Sequence, residues 1–216
     1  MKLSNIAGAL GIILTAFGVI LLAPIIVALL AHEQQGIMPF VAASSCSVAL
    51  GLVFQKYGGW SRNFDDLRRT EGLLIVTLAW VVTAAAGAVP YLFFGLNPLD
   101  AYFESVSGCT TTGATIHIDF SLYPQLYFFL RRLTQWLGGM GIIVLFVAIL
   151  PQVAVAGRQM FFAEAPGPTE EKVTPRITQT SKALWLIYFL LTVLEIICLR
   201  LSGLPLFDAV CNSLTT

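Results

Sequence analysis

Long apolar stretches alternate with short polar segments along this chain. No charged side chain occurs in the stretches 3–32, 34–55, 72–99 and 133–157. Each stretch is long enough to cross a hydrocarbon core about 30 Å thick, for which a helix needs about 20 residues. Another apolar stretch lies near the end of the sequence. The pattern predicts membrane helices over about 4–31, 37–55, 71–94, 126–150 and 182–202.

Composition supports the same class of protein. Hydrophobic residues make up 57% of the chain and charged residues only 11%, whereas soluble domains carry about 25% charged residues. We therefore predict an all-α polytopic membrane protein. The net charge of zero gives no basic surface for nucleic acid, and the cysteines and histidines lack metal-binding spacing. The sequence shows no paired acid and base and no nucleotide loop that would indicate an enzyme.

The distribution of Lys and Arg predicts the orientation in the membrane. Placing Lys2 and the segments 56–70 and 156–182 on one side collects nine of the twelve basic residues there. By the positive-inside rule that side is cytoplasmic, and the N-terminus lies on it. Pro24 and Pro90 fall inside predicted helices and are expected to kink or end them.

A short helix is predicted over 98–109, on the outer side. Asn97 is suited to cap it, Pro98 suits its first position, and Asp100 favours the positive end of its dipole. About twelve helical residues reach only about 18 Å, which is too short to span the membrane. We therefore expect a half-helix that dips in and returns as non-helical chain. Such chain is tolerated at membrane depth only where it is buried in protein or lines a watery cavity.

The returning chain carries Thr110, Thr111, Thr112 and Gly113. Its carbonyl oxygens need partners, and a dehydrated cation is one. K⁺ channels place such a segment behind a pore helix, where backbone carbonyls replace the ion's hydration shell. Gly113 permits backbone angles that other residues avoid. Because similar runs occur in ordinary loops, two interpretations stay open: one wall of an ion filter, or a structural loop.

An internal repeat favours the filter. A shift of 108 positions aligns 95–105 with 203–213, with five identities in eleven ungapped positions. Each copy follows an apolar helix. The expected unit is a helix, a half-helix, a filter segment and a second helix, and two extra helices precede the first unit. The second copy reaches Thr216 before its own filter.

Several charged residues lie in or near the predicted spans, and their positions suggest roles. Glu195, inside the last span, is either an acid that attracts cations near the pathway or a protonated or hydrogen-bonded packing residue. Asp119 either concentrates cations at the outer mouth or is a solvated surface acid. Glu104 is expected to bond backbone or hydroxyl groups. Arg131 and Arg132 are expected to anchor their helix at the membrane interface.

Five stretches of the chain match a known family. They are LRRTEGLLIV (67–76), DAYFESVSGCTTTGAT (100–115), QWLGGMGIIVLFVAILP (135–151), AEAPGPTEEKVTPRITQTSKALWLIY (163–188) and FDAVCNSLTT (207–216). On these stretches the chain resembles the N-terminal part of TrkH/TrkG-type potassium transporter subunits, in the superfamily that also contains Ktr and plant HKT proteins. The first two helices resemble that family only in position and number.

The resemblance implies a fold of K⁺-channel type, in which one chain carries four non-identical helix–pore-loop–helix repeats around a K⁺ pathway. It implies that Gly113 is the filter glycine and that Thr110, Thr111 and Thr112 bear the carbonyls beside it. K⁺, the transported ion, would bind the carbonyls of Thr111 and Thr112, and the carbonyl of Gly113 would face the ion path with them. No organic cofactor is implied.

The resemblance also implies an organisation, a location and partners. The chain divides into two N-terminal helices (1–66), a first repeat (67–157), a cytoplasmic connector (158–181) and the start of a second repeat (182–216). The partners would be membrane lipid, a second copy in a homodimer and a cytosolic nucleotide-binding ring of TrkA type. The location would be the bacterial inner membrane. The implied function is potassium uptake, and the alternative is a non-conducting membrane assembly subunit whose Thr-Gly loop is structural.

Overall fold

The computed structural model describes residues 3–30, 36–58, 69–118, 123–141 and 173–216. Within these ranges the regular structure is helical and no strand occurs, which agrees with the predicted all-α class. The α-helices are α1 (Leu3–Ile20), α2 (Ala23–Leu30), α3 (Ile37–Tyr57), α4 (Arg69–Phe93), α5 (Pro98–Cys109), α6 (125–141), α7 (Val173–Leu201) and α8 (Leu206–Ser213).

In the described part of the chain, four helical segments are long and apolar enough to cross a membrane. Only 6% to 33% of the most apolar part of each is buried within the structure, so lipid or further protein can cover the rest. The segments are Leu3–Leu30, Ile37–Tyr57, Thr70–Phe93 and Thr180–Leu201. They correspond to four of the five predicted spans. Of the fifth, α6 provides the described part, and 142–150 lies outside the described residues.

Both proline predictions agree with the helix ends. The first span is interrupted between Ile20 and Ala23, and Pro24 is the second residue of α2. Proline is tolerated in a first helical turn because its missing N–H has no partner to bond there. Pro90 lies in the last turn of α4, which ends at Phe93.

The helices form two compact units, of which the first covers Met1–Gln135. Its helices α1 and α3 pack through small residues, and a Cβ atom on Gly11 would lie only 2.6 Å from the carbonyl oxygen of Gly51. At this contact Gln55 Nε2 donates to the carbonyl of Gly11 at 3.1 Å and to Thr15 Oγ1 at 2.8 Å. Close backbone approach with interhelical hydrogen bonds is a typical way of joining helices in a membrane.

A tight turn directs the chain from α4 into α5. Gly95 has a left-handed φ of +90°. Its N–H donates to the carbonyl of Leu92 at 3.1 Å, and the N–H of Leu96 donates to the carbonyl of Tyr91 at 3.3 Å. This pair of bonds satisfies carbonyls at the end of α4 and is typical of a helix that ends at glycine.

The half-helix α5 begins and ends at the predicted residues, Pro98 and Cys109. Asn97 Oδ1 accepts a hydrogen bond from the N–H of Asp100 at 2.9 Å, as expected for a cap. Glycines bring the neighbouring helices onto α5. A Cβ atom on Gly87 of α4 would lie 2.6 Å from Ser105 Oγ, and one on Gly108 would lie 2.6 Å from Thr134 Oγ1 of α6.

The second unit, Trp136–Thr216, contains the same turn and half-helix. Gly203 has a φ of +96°. Its N–H donates to the carbonyl of Arg200 at 3.1 Å, and the N–H of Leu204 donates to the carbonyl of Leu199 at 3.2 Å. These bonds lie 108 positions after their counterparts in the first unit. The repeat predicted from five identities is therefore present in the backbone.

Helix α7 starts earlier than predicted. It begins at Val173, whereas the predicted span begins at 182 and the predicted connector extends to 181. Hydropathy marks only the part of a helix that lies in the membrane, and a helix is free to continue beyond it. Pro175 falls in the first turn of α7, where proline is tolerated. Residues 156–172 of the polar segment lie outside the described residues.

Candidate functional site

The residues that follow α5, 110–118, form a loop that we call the threonine loop, and its backbone is strained. Thr110 caps α5, and its N–H donates to the carbonyl of Val106 at 2.8 Å. The chain then leaves the helical path, with φ values of +58° at Thr111 and +74° at Gly113. A positive φ is an outlier for a β-branched residue. Such strain persists only where the surrounding structure enforces it, and it is concentrated at functional sites.

Local hydrogen bonds hold the start of the threonine loop over the last turn of α5. Thr110 Oγ1 donates to the carbonyl of Val106 at 2.8 Å and lies 2.8 Å from Thr112 Oγ1. The N–H of Gly113 donates to the carbonyl of Ser107 at 3.3 Å. The hydroxyl groups of Thr110 and Thr112 are therefore bonded to each other, and that of Thr110 also bonds the helix end.

A buried carboxylate holds the later part of the threonine loop. Glu104 of α5 is fully buried. Its Oε1 accepts hydrogen bonds from Thr115 Oγ1 and from the N–H of Ile116, both at 2.7 Å. The prediction that Glu104 bonds hydroxyl and backbone groups is confirmed.

Arg131 of α6 completes this arrangement. Its Nε lies 2.8 Å from Glu104 Oε2, and its Nη2 donates to the carbonyls of Gly113 at 2.9 Å and Ala114 at 2.7 Å. Ser107 Oγ donates to the same Ala114 carbonyl at 2.5 Å. Arg131 is only 6% exposed, so the prediction that it anchors α6 at the interface is wrong. A buried guanidinium requires a paired acid and hydrogen-bond acceptors. Glu104 of α5 provides the acid, and the threonine loop provides the acceptors.

The carbonyl groups of the threonine loop fall into two sets. Those of Gly113 and Ala114 accept hydrogen bonds from Arg131. To the carbonyls of Thr111 and Thr112, by contrast, no residue in the described part of the chain donates a hydrogen bond. The sequence predicts that the carbonyl of Gly113 faces the ion path as well, but in the structure this carbonyl is instead bonded to Arg131. What Gly113 contributes to the loop is its left-handed backbone angle.

An aromatic cluster packs around the end of the threonine loop. His117 Nε2 is hydrogen-bonded to the hydroxyl group of Tyr127 and lies 3.9 Å from Glu104 Oε1. The ring of Tyr127 stacks on Tyr123 with centroids 4.6 Å apart and meets the edge of Tyr91 at 4.9 Å. The sequence does not predict this cluster, because its members belong to α4, the threonine loop and the region around the start of α6, and only the fold brings them together.

The sequence did contain a signal for the role of Arg131. Glu104 and Arg131 are charged residues in segments that are otherwise largely uncharged and predicted to lie at membrane depth. Opposite charges in that position pair with one another because each is costly alone. That rule favours an ion pair over an interfacial anchor. Arg132 is half-buried on the same helix, and its role as an anchor at the membrane interface remains a prediction.

The sequence also singles out the acids Glu195 and Asp119. Glu195 lies half-buried on α7 in the second unit, where Thr192 Oγ1 accepts a hydrogen bond from Trp136 Nε1 at 3.0 Å. Both interpretations of Glu195 stay predictions. Asp119 lies outside the described residues. Among the residues that are described, no group of three His, Cys, Asp or Glu side chains is placed to hold a metal ion.

The sequence matches a family of transport proteins. The model of the TrkH family, described as "Cation transport protein", covers residues 38–216. The chain belongs to the TrkH family. The Trk system potassium uptake protein TrkH of Vibrio parahaemolyticus is 40% identical, over 100% of this chain and 45% of the relative. The Trk system potassium uptake protein TrkG of Escherichia coli is 35% identical, over 95% of this chain and 43% of the relative.

The fold matches a solved member of the same family. The crystal structure of the potassium transporter TrkH from Vibrio parahaemolyticus has a TM-score of 0.83 and 37% sequence identity, over 99% of this chain and 42% of that chain. The predicted resemblance and the helix–pore-loop–helix fold are confirmed. The chain spans less than half the length of the relatives that it matches.

Proposed function

We propose that this chain supplies part of a potassium uptake pathway, and that the carbonyls of Thr111 and Thr112 line its filter beside Thr110 and Gly113. The observation that carries the proposal is the left-handed backbone of Thr111 directly after a capped half-helix. A β-branched residue is held at such an angle only against a steric cost. A filter of backbone carbonyls would explain that strain, because such a filter requires the chain to leave the helical path at the end of α5.

The electrostatics of the site support a cation. The C-terminal end of a helix carries partial negative charge, and α5 ends at the threonine loop. Backbone carbonyls replace the water oxygens of a dehydrated K⁺ ion. Glu104 and Arg131, which hold the threonine loop, form an ion pair, so together they add little net charge near the proposed ion path. The relatives in bacteria are named potassium uptake proteins, which favours K⁺ as the ion.

The organisation follows the same proposal. Residues 1–66 form two membrane helices that precede a first repeat over 67–157, and a connector over 158–181 leads to a second repeat from 182. The protein lies in the bacterial inner membrane with its N-terminus in the cytoplasm. Further repeats of a longer chain complete the filter around the axis. Two copies associate, and a cytosolic nucleotide-binding ring of TrkA type regulates them.

Transport by the full-length protein, meaning the chain at the length of its relatives, tests this proposal. We expect it to restore growth of a strain deficient in K⁺ uptake at low K⁺, and to carry Rb⁺ in preference to Na⁺ after reconstitution into vesicles. The alternative is a non-conducting assembly subunit, whose Thr-Gly loop is structural. A folded, reconstituted protein without cation flux would support that alternative and contradict the filter.

A further inference from the structure

One pair of side chains holds four consecutive residues of the threonine loop. Arg131 bonds the carbonyls of residues 113 and 114, and Glu104 bonds the side chain of residue 115 and the N–H of residue 116. The two side chains also bond each other. The segment 113–116 is therefore attached to both α5 and α6, and its attachment starts at the residue that follows Thr112.

We propose that Glu104 and Arg131 are positioning residues of the ion path, with one geometric and one electrostatic role. They draw the carbonyls of residues 113 and 114 back towards α6, so that the carbonyls of Thr111 and Thr112 are the ones available to the ion. This inference rests on the proposed potassium filter, and it adds the groups that set where the filter ends.

The geometric role belongs to Arg131. Its planar guanidinium presents several N–H groups in a fixed fork, whereas the ammonium group of lysine is a single point charge on a flexible stem. The fork here satisfies a carboxylate oxygen and two backbone carbonyls at once. Because the carbonyl of Gly113 is fixed, the peptide group before it, which carries the carbonyl of Thr112, loses freedom as well. Lysine at position 131 would keep the charge and lose this constraint.

The electrostatic role belongs to Glu104. The guanidinium of Arg131 bonds a carbonyl next to the proposed ion ligands, and an uncompensated positive charge there would repel every cation. Glu104 compensates it at 2.8 Å. In the second half-helix, the shift of 108 positions places the neutral Asn212 at the equivalent of Glu104. The acidic partner is therefore a feature of the first half-helix and not of both.

The two roles predict different defects in the full-length protein. Glu104→Gln keeps the shape and hydrogen-bonding oxygen of the side chain but removes its charge. We expect K⁺ and Na⁺ fluxes to fall together by at least about tenfold, with their ratio close to that of the wild type. Arg131→Lys keeps the charge but removes the fork. We expect the K⁺ over Na⁺ ratio to fall by about tenfold, which corresponds to about 1.4 kcal/mol, with a smaller change in total flux.

Both effects are measured as Rb⁺ and Na⁺ fluxes in reconstituted vesicles, with Rb⁺ in place of K⁺. The fluxes are normalised to the amount of folded protein, which size-exclusion chromatography gives. The double variant Glu104→Gln/Arg131→Gln, which carries no buried charge, is the control. We expect its flux to be higher than that of Glu104→Gln. Its K⁺ over Na⁺ ratio should be low, as in Arg131→Lys. If neither single variant folds, this double variant alone decides, and wild-type selectivity in it overturns the inference.

The outcomes separate this inference from the proposed function. If the wild-type protein carries K⁺ selectively and both single variants keep its flux and its selectivity, the positioning roles are overturned and the potassium filter stays in place. A loss of K⁺ selectivity in Glu104→Gln as large as in Arg131→Lys overturns the division between the two roles. A wild-type protein without flux overturns the proposed function itself.

Discussion

At the scale of single residues, Gly113 is constrained by its backbone and not by lack of space. Its φ is +74°, and a Cβ atom placed on it would meet Gln135 Nε2 at 3.6 Å, an ordinary contact distance. A side chain would therefore fit, but it would force an L-residue into the left-handed region at a cost of roughly 1–2 kcal/mol. Thr111 already bears such a cost at a φ of +58°. The threonine loop thus has little tolerance for a second strained residue two positions later.

Gly113→Ser in the full-length protein is expected to impair ion discrimination much more than expression. The loop would relax to relieve the strain and displace the neighbouring carbonyls, and a tenfold loss of K⁺ over Na⁺ selectivity needs only about 1.4 kcal/mol. Thr110→Ser is the matched control, because it keeps the hydroxyl group that bonds Val106 and should have a smaller effect. Growth at low K⁺ and Rb⁺ and Na⁺ fluxes measure both variants. Wild-type selectivity in well-expressed Gly113→Ser would show that the threonine loop is not the filter.

At the scale of elements, the half-helix α5 was predictable and its attachment to α6 was not. Asn97, Pro98 and Asp100 are local signals, and they fix the start of a helix without any tertiary contact. The partner of Glu104, in contrast, lies 27 residues further along the chain. The position of Arg131 and Arg132 near a helix start predicts interfacial anchors, whereas the cost of a lone charge at membrane depth favours an ion pair with Glu104. The packing of α6 against α5 shows that Arg131 forms this pair.

The contact between α5 and α6 depends on a glycine. A Cβ atom on Gly108 would lie 2.6 Å from Thr134 Oγ1, and that hydroxyl group donates to the carbonyl of Arg131 at 2.9 Å. We expect Gly108→Ala to destabilise the protein by about 1–3 kcal/mol, because the side chain over-packs the contact. A lower midpoint of thermal unfolding in detergent would be the measured result.

Gly72→Ala is the control for this substitution. Gly72 lies in α4 with no heavy atom within 4 Å of its added Cβ, and alanine is favoured over glycine in a helix by up to about 1 kcal/mol. Its midpoint should stay the same or rise. Equal midpoints for Gly108→Ala and the wild type would contradict the close approach of the two helices.

At the scale of the whole molecule, the repeat was the most informative signal in the sequence. Five identities were enough to reveal the repeat. In the structure Gly95 and Gly203 both have a left-handed φ, and the same pair of capping bonds forms at each. The aromatic cluster around Tyr127 was not predictable, because it joins residues of α4, α6 and the threonine loop. The four spans in the described part of the chain follow from hydropathy alone.

The orientation predicts which polar segments face the outside. A cysteine introduced at position 34 should react with an impermeant reagent added to intact cells, whereas one at position 63 should be protected. The physical reason is the excess of Lys and Arg on the cytoplasmic side. Because all four native cysteines are free thiols, they are replaced first. Protection at 34 together with labelling at 63 would reverse the topology.

The ion pair between Glu104 and Arg131 has a consequence for biogenesis. Glu104 leaves the ribosome 27 residues before its partner, which at about 5–20 residues per second takes roughly 1 to 5 seconds. A lone carboxylate is costly in the hydrocarbon core, so the half-helix has no stable place there during this interval. We expect α5 to wait in the aqueous interior of the insertion machinery until α6 arrives, and the two to enter the bilayer as one hairpin with this ion pair already formed.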